Sequence, residues 1–541
     1  MTHSLAADRS PFTMLSSNRS RGWHVLAWLL TLWVLTSCGG DSSTSSRTPT
    51  QPSVPTTPTA PEPPATPTPP STPTPPAAPV PARIVLVAAD SQISAIGRTV
   101  VLNTAVRVDD AAGVPIVGAV VTYRVTSGGG TVTGATTVTN GTGRTSVGGW
   151  TLGLASGMNT LTATVATLPP VTISAYGAEG GLSAGQYHVC GLSANGAAFC
   201  WGNNDSGQLG DGSLSDRTQT TAVSGGFRFV ALTTGDKHTC GLTIAKAAYC
   251  WGENQFGGLG LGDLIDRVVP APVAGGLTFS SIVAGAYQTC GITTSGAAYC
   301  WGDNRDGQLG TGDRLQRSTP SLVVGGFRFS SLSSKRSHTC GLLVSGVAYC
   351  WGLNAQGQLG VNDLLARLVP TTVVGAPVLP PTRTLGAIAI SAGGAHTCAL
   401  ISNGAAFCWG YNKYGQLGVG DKIDRQTPAT VAPGLIFGFI TTGSDFSCGL
   451  SRSGTAFCWG YNYYGQLGTS NTADQSAPTP VISAVQFSTV ASGAFHSCAL
   501  SKVDATAYCW GNNEVGQLGA GDKINRNLPT PITTRLFIGA P

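Results

Sequence analysis

Apolar and polar positions alternate in short runs along most of this chain, and glycine-rich turns separate the runs. Between residues 84 and 178, runs of Val, Ile and Thr such as 120–125 and 161–165 are bounded by turn sequences such as the glycines at 128–130. From residue 181 onward, similar short runs recur with a regular period. Short alternating runs bounded by turn residues are typical of half-buried strands, so the pattern predicts an all-β protein.

An apolar run near the start of the chain differs from these strands. Residues 23–36 are mostly apolar and follow Arg19 and Arg21. A membrane-spanning helix needs ~20 residues, so the run has the length of a signal-peptide core instead. It ends in Leu-Thr-Ser-Cys at Cys38, which resembles a bacterial lipobox. The resemblance implies a signal peptide over 1–37 and lipidation of Cys38. Because Gly39 and not aspartate follows, it implies an exported lipoprotein of the cell envelope, in the outer membrane or at the cell surface. The alternative is an ordinary secretory signal with a chance cysteine.

Residues 38–83 hold the lipidated N-terminus and a segment composed almost entirely of Pro, Thr, Ser and Ala. Such a segment cannot bury a core and favours extended polyproline conformations. We expect a disordered linker that holds the following domains away from the membrane.

Residues 84–178 have the strand and turn spacing of a β-sandwich. The small-residue pattern at 113–118, 130–134 and 159–164 resembles bacterial Ig-like domains of the invasin/intimin type. That resemblance implies a spacer domain. No cysteine lies in this range, so no disulfide joins the predicted sheets.

The remainder of the chain is built from seven sequence repeats. Cys-Trp-Gly begins at 200, 250, 300, 350, 408, 458 and 509. Each copy precedes a motif close to x-Asn-x-x-Gly-Gln-Leu-Gly and follows a motif close to Gly-x-x-His-x-Cys. Short strands with a period near 50 residues predict a β-propeller or a related closed array. The motifs resemble the repeats of the regulator of chromosome condensation family in a cysteine-rich bacterial version. The resemblance implies a seven-bladed propeller over 179–541.

Fourteen of the fifteen cysteines lie in the repeats, two in each, and the remaining one is Cys38. A three-residue loop with glycine third, as in residues 193–197, predicts a hairpin register that places Cys190 opposite Cys200. In an exported protein this favours disulfides over zinc ligands. The predicted pairs are Cys190–Cys200, Cys240–Cys250, Cys290–Cys300, Cys340–Cys350, Cys398–Cys408, Cys448–Cys458 and Cys498–Cys509.

Zinc is the alternative to the disulfides, because His-x-Cys and the second cysteine could supply three ligands. Gln288 and Phe446 replace the histidine in two repeats while both cysteines remain, so cysteine pairing does not need the histidine. We therefore expect the five histidines to be structural and to bond to the backbone near the junction between blades. They are His188, His238, His338, His396 and His496.

The sequence contains few signs of catalytic chemistry. No nucleophile elbow, phosphate-binding loop or dinucleotide motif appears, so we expect no enzyme activity, catalytic residue, cofactor or metal. The net charge of +5 over 541 residues does not indicate a nucleic-acid-binding surface. In five repeats an arginine follows an aspartate by four residues, and in the first repeat Arg217 follows Ser213. These pairs predict a salt bridge within a loop.

Variable positions within the repeat frame indicate a binding face. The loop before the histidine and the loop containing the asparagine are expected on the same face, and their variable positions are rich in aromatic residues and Arg. These residue types dominate the energy of protein interfaces. The predicted partner-binding residues are Tyr187, Lys237, Tyr287, Arg336, Phe495, Phe256, Arg305, Tyr411, Lys413, Tyr414, Tyr461, Tyr463 and Tyr464.

The sequence therefore predicts an envelope-anchored, monomeric binding protein that presents a propeller face to a protein or an envelope polymer. Inhibition of an extracytoplasmic enzyme is one alternative. Guanine-nucleotide exchange on a small GTPase, which the family resemblance implies, is another. Fold alone does not distinguish these functions.

Overall fold

The computed structural model describes residues 79–87, 92–95, 100, 105–152, 157–166, 168–178, 181–375 and 387–532. The described residues form strands and turns without a helix. In that part of the chain there is accordingly no helix of the length and apolarity that a membrane crossing requires. The predicted signal peptide, Cys38 and the linker up to residue 78 lie outside the described residues and stay predictions.

In the described part of the chain, ten strands precede the repeats. They are β1 (Arg83–Leu86), β2 (Gln92–Ala95), β3 (Val106–Asp109), β4 (Val120–Ser127), β5 (Gly130–Thr133), β6 (Thr136–Val138), β7 (Arg144–Thr145), β8 (Gly149–Leu152), β9 (Gly157–Thr164) and β10 (Val171–Ala178).

These ten strands form three sheets around one apolar core. The strand orders are β1-β3-β7, β2-β10-β9-β4-β6 and β5-β8. The inward-facing Val121, Tyr123, Trp150 and Leu161 are all buried in the core. The period-2 alternation in β4 buries Val121 and Tyr123 and leaves their neighbours exposed, as expected for a strand with one face to solvent. The Ig-like assignment of residues 84–178 stays a prediction.

Over residues 181–375 and 387–532, the repeats form twenty-eight strands in seven sheets of four. Sheet 1 contains β11 (Leu182–Ala184), β12 (His188–Leu192), β13 (Ala198–Gly202) and β14 (Arg217–Ala222). Sheet 2 contains β15 (Phe229–Thr234), β16 (His238–Thr243), β17 (Ala248–Gly252) and β18 (Arg267–Pro272). Sheet 3 contains β19 (Phe279–Ala284), β20 (Gln288–Thr293), β21 (Ala298–Gly302) and β22 (Arg317–Leu322). Sheet 4 contains β23 (Phe329–Lys335), β24 (His338–Leu343), β25 (Ala348–Gly352) and β26 (Arg367–Thr372). Sheet 5 contains β27 (Ala387–Ala392), β28 (His396–Ile401), β29 (Ala406–Gly410) and β30 (Arg425–Thr430). Sheet 6 contains β31 (Phe439–Thr442), β32 (Phe446–Leu450), β33 (Ala456–Gly460) and β34 (Gln475–Pro480). Sheet 7 contains β35 (Phe487–Ser492), β36 (His496–Ser501), β37 (Ala507–Gly511) and β38 (Arg526–Pro531).

Each sheet is an antiparallel meander of four consecutive strands. The predicted hairpin register is confirmed. In sheet 1, Leu192 pairs with Ala198 and Cys190 pairs with Cys200. All seven predicted disulfides form, each with Cα atoms 4.1 Å apart. In the second repeat, Lys246 takes the glycine position of the turn at a φ of 66°, a left-handed conformation that a non-glycine residue seldom adopts.

Neighbouring sheets pack through the tryptophan of the Cys-Trp-Gly motif. Each of these tryptophans is buried, and Trp251 packs in one core cluster with the disulfide of sheet 1. The seventh sheet contacts the first in the same way. The Nε1 of Trp201 donates to the Gln517 carbonyl at 3.0 Å, and the Gly521 amide donates to Thr218 at 2.9 Å. The seven sheets therefore form a closed series, and among the described residues no strand of the first sheet pairs with a strand of the seventh.

Candidate functional site

Two sets of loops leave the sheets at one end, which we call the loop face. The histidine loops connect the first and second strands of each sheet, and the asparagine loops connect the third and fourth. Antiparallel connectivity places both at the same end, and they touch. The Asn203 amide donates to the Tyr187 carbonyl at 2.9 Å. The hairpin turns between the second and third strands form the opposite face, where Val344 and Val503 are 86% and 84% exposed.

The asparagine loops are fixed by their own polar side chains. In sheet 2, the Asn254 side chain accepts from the Leu259 amide at 3.0 Å and donates to Asp263 at 3.1 Å. Asp263 forms a salt bridge with Arg267 at 2.6 Å. The hydrogen bond from the Ile265 amide, and then that from the Arg267 guanidinium, lower the pKa of Asp263. The loop face is therefore a pre-formed surface.

The predicted Asp–Arg salt bridge is confirmed in the five repeats that carry the aspartate, with distances of 2.5–2.7 Å. The prediction for the first repeat is incomplete. Arg217 pairs with Asp211 at 2.8 Å, and the Ser213 hydroxyl accepts a weaker bond from it at 3.2 Å. Asp211 lies two residues earlier in the loop, so it meets the guanidinium from a position that the repeat spacing does not indicate.

Seven of the predicted partner-binding residues form one continuous set of ring contacts, which we call the aromatic run. It crosses sheets 5, 6, 7 and 1, with neighbouring ring centroids 4.8–6.4 Å apart. Its contacts are Tyr411–Tyr414, Tyr414–Tyr461, Tyr461–Tyr463, Tyr463–Tyr464, Tyr461–Phe495, Tyr464–Phe495 and Phe495–Tyr187.

Three further predicted residues form a separate group, the capped pair. Phe256 and Tyr287 pack in a tilted arrangement with ring centroids 4.9 Å apart. The Arg305 guanidinium carbon lies 4.7 Å above the centre of the Phe256 ring, within range of a cation–π interaction. Asp303 holds the same guanidinium in a salt bridge at 2.9 Å. The protein thus covers this aromatic pair with its own cation.

The other three predicted residues do not join either group. Lys237 forms a salt bridge with Asp205 at 3.0 Å, so its charge is paired within the loop face. Arg336 is exposed and has a φ of 41°, and Lys413 is exposed beside the aromatic run.

Sequence reasoning missed a set of exposed aliphatic side chains on the asparagine loops. Each stands two residues after the loop Asp that pairs with Arg, and each is 64–68% exposed. They are Ile265, Leu315, Leu365, Ile423 and Ile524. The signal was present in the repeat frame, because the same position is aliphatic in five copies. The loop face therefore carries apolar side chains at its rim as well as aromatic ones.

The five histidines are buried at the junctions between sheets. The Nε2 of His188, His238, His338 and His396 lies 2.9–3.0 Å from a Thr or Ser hydroxyl of the next sheet. In the first junction, that hydroxyl, Thr239 Oγ1, donates to the Gln208 carbonyl at 2.8 Å, so His188 must donate from Nε2. The Trp251 indole donates to the same carbonyl at 3.0 Å.

Among the described residues, the prediction that these histidines bond to the backbone is thus met directly only by His238, which has a backbone hydrogen bond with Ala286. The others reach the backbone through a hydroxyl, because the next sheet places a Thr or Ser between ring and carbonyl. At the seventh junction this position is Val189, and among the described residues no partner meets His496 Nε2. Burial lowers the pKa of these histidines to about 3 or 4.

Replacing Thr239 by Val tests this junction, because valine stands at the equivalent position in the first sheet. The change leaves the buried His188 N–H without its acceptor, and we expect it to lower the free energy of unfolding by about 1–3 kcal/mol. Thermal denaturation followed by calorimetry measures the loss. Thr278→Val, at an exposed position, is the matched control and is expected to change stability by less than ~0.5 kcal/mol. Equal effects of the two variants on stability would contradict the role of the Thr239 hydroxyl as the acceptor for His188.

A cavity of about 240 Å³ lies between the first strands of the seven sheets. Lys335, which replaces the glycine present at this position in the other six repeats, lies at the loop-face end of that lining. Its Nζ donates to the Thr442 and Ser492 carbonyls of sheets 6 and 7 at 3.1 and 2.9 Å. Burial lowers the pKa of Lys335 to about 8. This side chain therefore crosses the opening and was not foreseen from the sequence.

The residue neighbouring this lysine is also altered from the repeat. In sheet 3, Gln288 stands where five of the other six sheets carry histidine, and it donates to Ser334 at 3.0 Å and to the Arg336 carbonyl. Two carboxylates, Asp236 and Asp445, lie within electrostatic range of Lys335, and burial raises the pKa of both. Among the described residues, no group of three or more His, Cys, Asp or Glu is arranged to hold a metal ion.

The repeats match known family models. Residues 278–540 match the RCC1-like domain, and four segments match the regulator of chromosome condensation (RCC1) repeat. These segments are 181–208, 229–257, 195–242 and 247–292.

Curated relatives match only locally. The ultraviolet-B receptor UVR8 of Arabidopsis thaliana is 50% identical over 42 residues, which is 8% of this chain and 10% of that protein. The probable E3 ubiquitin-protein ligase HERC3 of Homo sapiens is 52% identical over 42 residues, 8% of this chain and 4% of that protein. The matched segments thus span a tenth or less of these relatives.

Solved structures extend the similarity of fold. Prp20p of Saccharomyces cerevisiae is 23% identical with a TM-score of 0.56, and the match covers 64% of this chain and 88% of the Prp20p chain. That structure is described together with the binding of Prp20p to Gsp1p and histones. Yeast RCC1 bound to Kap60 is 22% identical with a TM-score of 0.56, over 63% and 85% of the two chains. Human WBSCR16 is 21% identical with a TM-score of 0.54, over 63% and 89%.

Proposed function

We propose, from the premise that this chain carries RCC1 repeats and an RCC1-like domain, that it is a non-enzymatic protein that binds a protein partner through the loop face. The seven four-stranded sheets are the blades of a seven-bladed β-propeller in this proposal. The RCC1-like fold supports a role in protein interaction, because the similar yeast protein is described in complex with Kap60.

The aromatic run is the observation that carries this proposal. Ten of the thirteen residues selected from the sequence gather into two groups on one face, and seven of them form a single surface. Tyr463 within it is 66% exposed. Tyrosine supplies large contact area with few rotatable bonds, and aromatic residues are enriched where partners bind tightly. The exposed aliphatic rim adds apolar area to the same face.

We further propose that the protein is exported and anchored to the cell envelope through Cys38. The seven disulfides support export, because disulfides persist in oxidising compartments. Substitution of Cys38 by Ser is expected to release the protein from the membrane fraction and to abolish incorporation of a labelled fatty acid. Retention of label in that variant would contradict the anchor.

Quantitative co-purification of the partner tests the binding face. We expect a variant with Tyr414, Tyr461 and Tyr464 changed to Ser to capture at least about tenfold less partner, because several interface rings are removed. A matched variant with Val344 and Val503 changed to Ser, on the opposite face, is expected to capture as much as the natural protein. Equal capture by both variants would place the partner elsewhere.

Guanine-nucleotide exchange is the second candidate, because Prp20p is described with binding to Gsp1p. Stimulated release of labelled GDP from a small GTPase by the purified chain favours exchange. Inhibition of an extracytoplasmic enzyme remains a form of the same loop-face binding.

A further inference from the structure

The capped pair and the aromatic run occupy equivalent positions of the repeat. Phe256, Tyr414 and Tyr464 each stand two residues after the asparagine of their loop. Each also packs at a tilted angle against a ring from the neighbouring sheet, as Phe256 does against Tyr287 at 4.9 Å and Tyr464 against Phe495 at 5.5 Å. The two sites are therefore built on the same backbone frame.

The residue that follows the loop asparagine in the next repeat differs in charge between the two sites. Arg305, one residue after the asparagine of sheet 3, lies over Phe256 of sheet 2. The equivalent residue of sheet 7 is Glu514, whose carboxylate acts electrostatically on Tyr464 of sheet 6. Among the described residues, the only cation placed over an aromatic ring is Arg305. The Tyr464–Phe495 site thus has the rings of the capped pair and a carboxylate in place of its cation.

The charges around this part of the aromatic run are those that attract a cation. Burial and, next, the Glu514 carboxylate raise the pKa of Tyr464. Glu514 is exposed, and of the described residues none forms a salt bridge with it. Asp474 also raises the pKa of the adjacent Tyr461, after burial and the neighbouring tyrosines, but it already pairs with Lys422 at 3.8 Å, so Glu514 is the carboxylate of this site. The ring faces and the carboxylates provide complementary attraction for a guanidinium or ammonium group.

We propose that the Tyr461–Tyr464–Phe495 part of the aromatic run binds an arginine or lysine side chain of a basic segment in the partner protein. The cation lies over Tyr464, as Arg305 lies over Phe256, and Glu514 supplies the opposing charge. This inference rests on the proposed function, because it names the chemistry of the partner that the loop face binds.

Fluorescence anisotropy with a labelled peptide tests the inference on the full, oxidised chain. The probe contains three arginines separated by Gly-Ser pairs, and the control probe carries glutamates at the same positions. We expect saturable binding of the arginine peptide that weakens as salt is added, and no binding of the glutamate peptide. Absence of arginine-peptide binding at low salt overturns the inference.

Two substitutions exchange the properties of the two sites. Glu514→Arg places a cation where Arg305 stands in the capped pair, and it is expected to raise the Kd of the arginine peptide by about tenfold or more. Glu514→Gln is the matched control, with an expected rise of only a few-fold. Arg305→Gln uncovers Phe256 and is expected to add a second binding site. Unchanged near-ultraviolet circular dichroism establishes that each variant is folded.

The outcomes separate this inference from the proposed function. If Glu514→Arg and Arg305→Gln leave peptide binding unchanged, or if neutral dextran competes as well as the arginine peptide does, the cation site is wrong. The proposed function stands in that case, provided that the Tyr414, Tyr461 and Tyr464 variant still loses the partner. If that variant retains the partner while the peptide binds as expected, the proposed function is wrong instead.

Discussion

Without its seven disulfides, the repeat domain is expected to be unfolded at room temperature. Each disulfide closes a loop of about eleven residues, which contributes ~2.5–3 kcal/mol in the chain-entropy model. Seven such loops sum to roughly 20 kcal/mol, more than the 5–15 kcal/mol by which a typical protein is stable. The cysteines are fully buried, so a reductant reaches them only after the sheets open.

The experiment is therefore refolding, not reduction of the native protein. Chain unfolded and reduced in denaturant is diluted into either reducing or oxidising buffer, and near-ultraviolet circular dichroism reports packing of the buried tryptophans. We expect native signal only in the oxidising buffer. The control is a variant that lacks one disulfide, with both Cys240 and Cys250 changed to Ala. In oxidising buffer it is expected to refold with a free energy of unfolding about 3 kcal/mol lower. Full recovery of native signal in reducing buffer would contradict the account.

The oxidised protein is expected to lose stability steeply as the pH falls from about 6.5 to 5. The pKa of each buried histidine is about 3 or 4 in the folded chain, against ~6.5 when unfolded. The folded-state pKa is depressed, so the unfolded chain binds more protons in this interval. The stabilisation is complete above pH 6.5 and is lost progressively as the pH falls toward the folded pKa.

The size of this effect follows from the number of histidines. One group loses about 1.6 kcal/mol between pH 6.5 and 5, and five lose about 8 kcal/mol. For a domain of this length that corresponds to a fall in Tm of roughly 10–15 °C. The salt-bridged aspartates have lowered pKa values and titrate below this interval, so their contribution is separate. Calorimetric scans at several pH values measure the slope.

The repeats themselves supply the control for this prediction. Gln288 occupies the histidine position in the third repeat and donates to the next sheet without titrating. A variant with all five histidines changed to Gln is expected to have a Tm nearly independent of pH between 6.5 and 5. If the natural protein shows a flat profile, or the variant keeps the slope, the buried histidines are not the cause.

The regular features of this protein could be predicted from sequence because they repeat. Seven copies of one motif identify the four-stranded unit, and the hairpin between Cys190 and Cys200 fixes its register locally. The predicted partner-binding positions could be placed on one face by counting strands. Their division into the aromatic run and the capped pair could not, because it depends on distances between loops of different sheets.

The features that were missed involve contacts between sheets. The Thr239 hydroxyl lies between His188 and the backbone, although 51 residues separate the two side chains in sequence. Lys335 reaches carbonyls more than 100 residues away, across the cavity. The replacement of glycine by lysine at this position was visible in the sequence. The direction of the lysine side chain was not, because it depends on the closed arrangement of the sheets.

The central claim is that the loop face holds the partner, and a crosslinking scan tests it most directly. A photoreactive amino acid is placed in turn at one exposed position of each asparagine loop and at one exposed position of each hairpin turn, in the producing cells. We predict partner adducts from the asparagine loops of sheets 5 and 6, including position 463, and none from the turns at positions 344 and 503. Adducts concentrated at the hairpin turns would contradict the account.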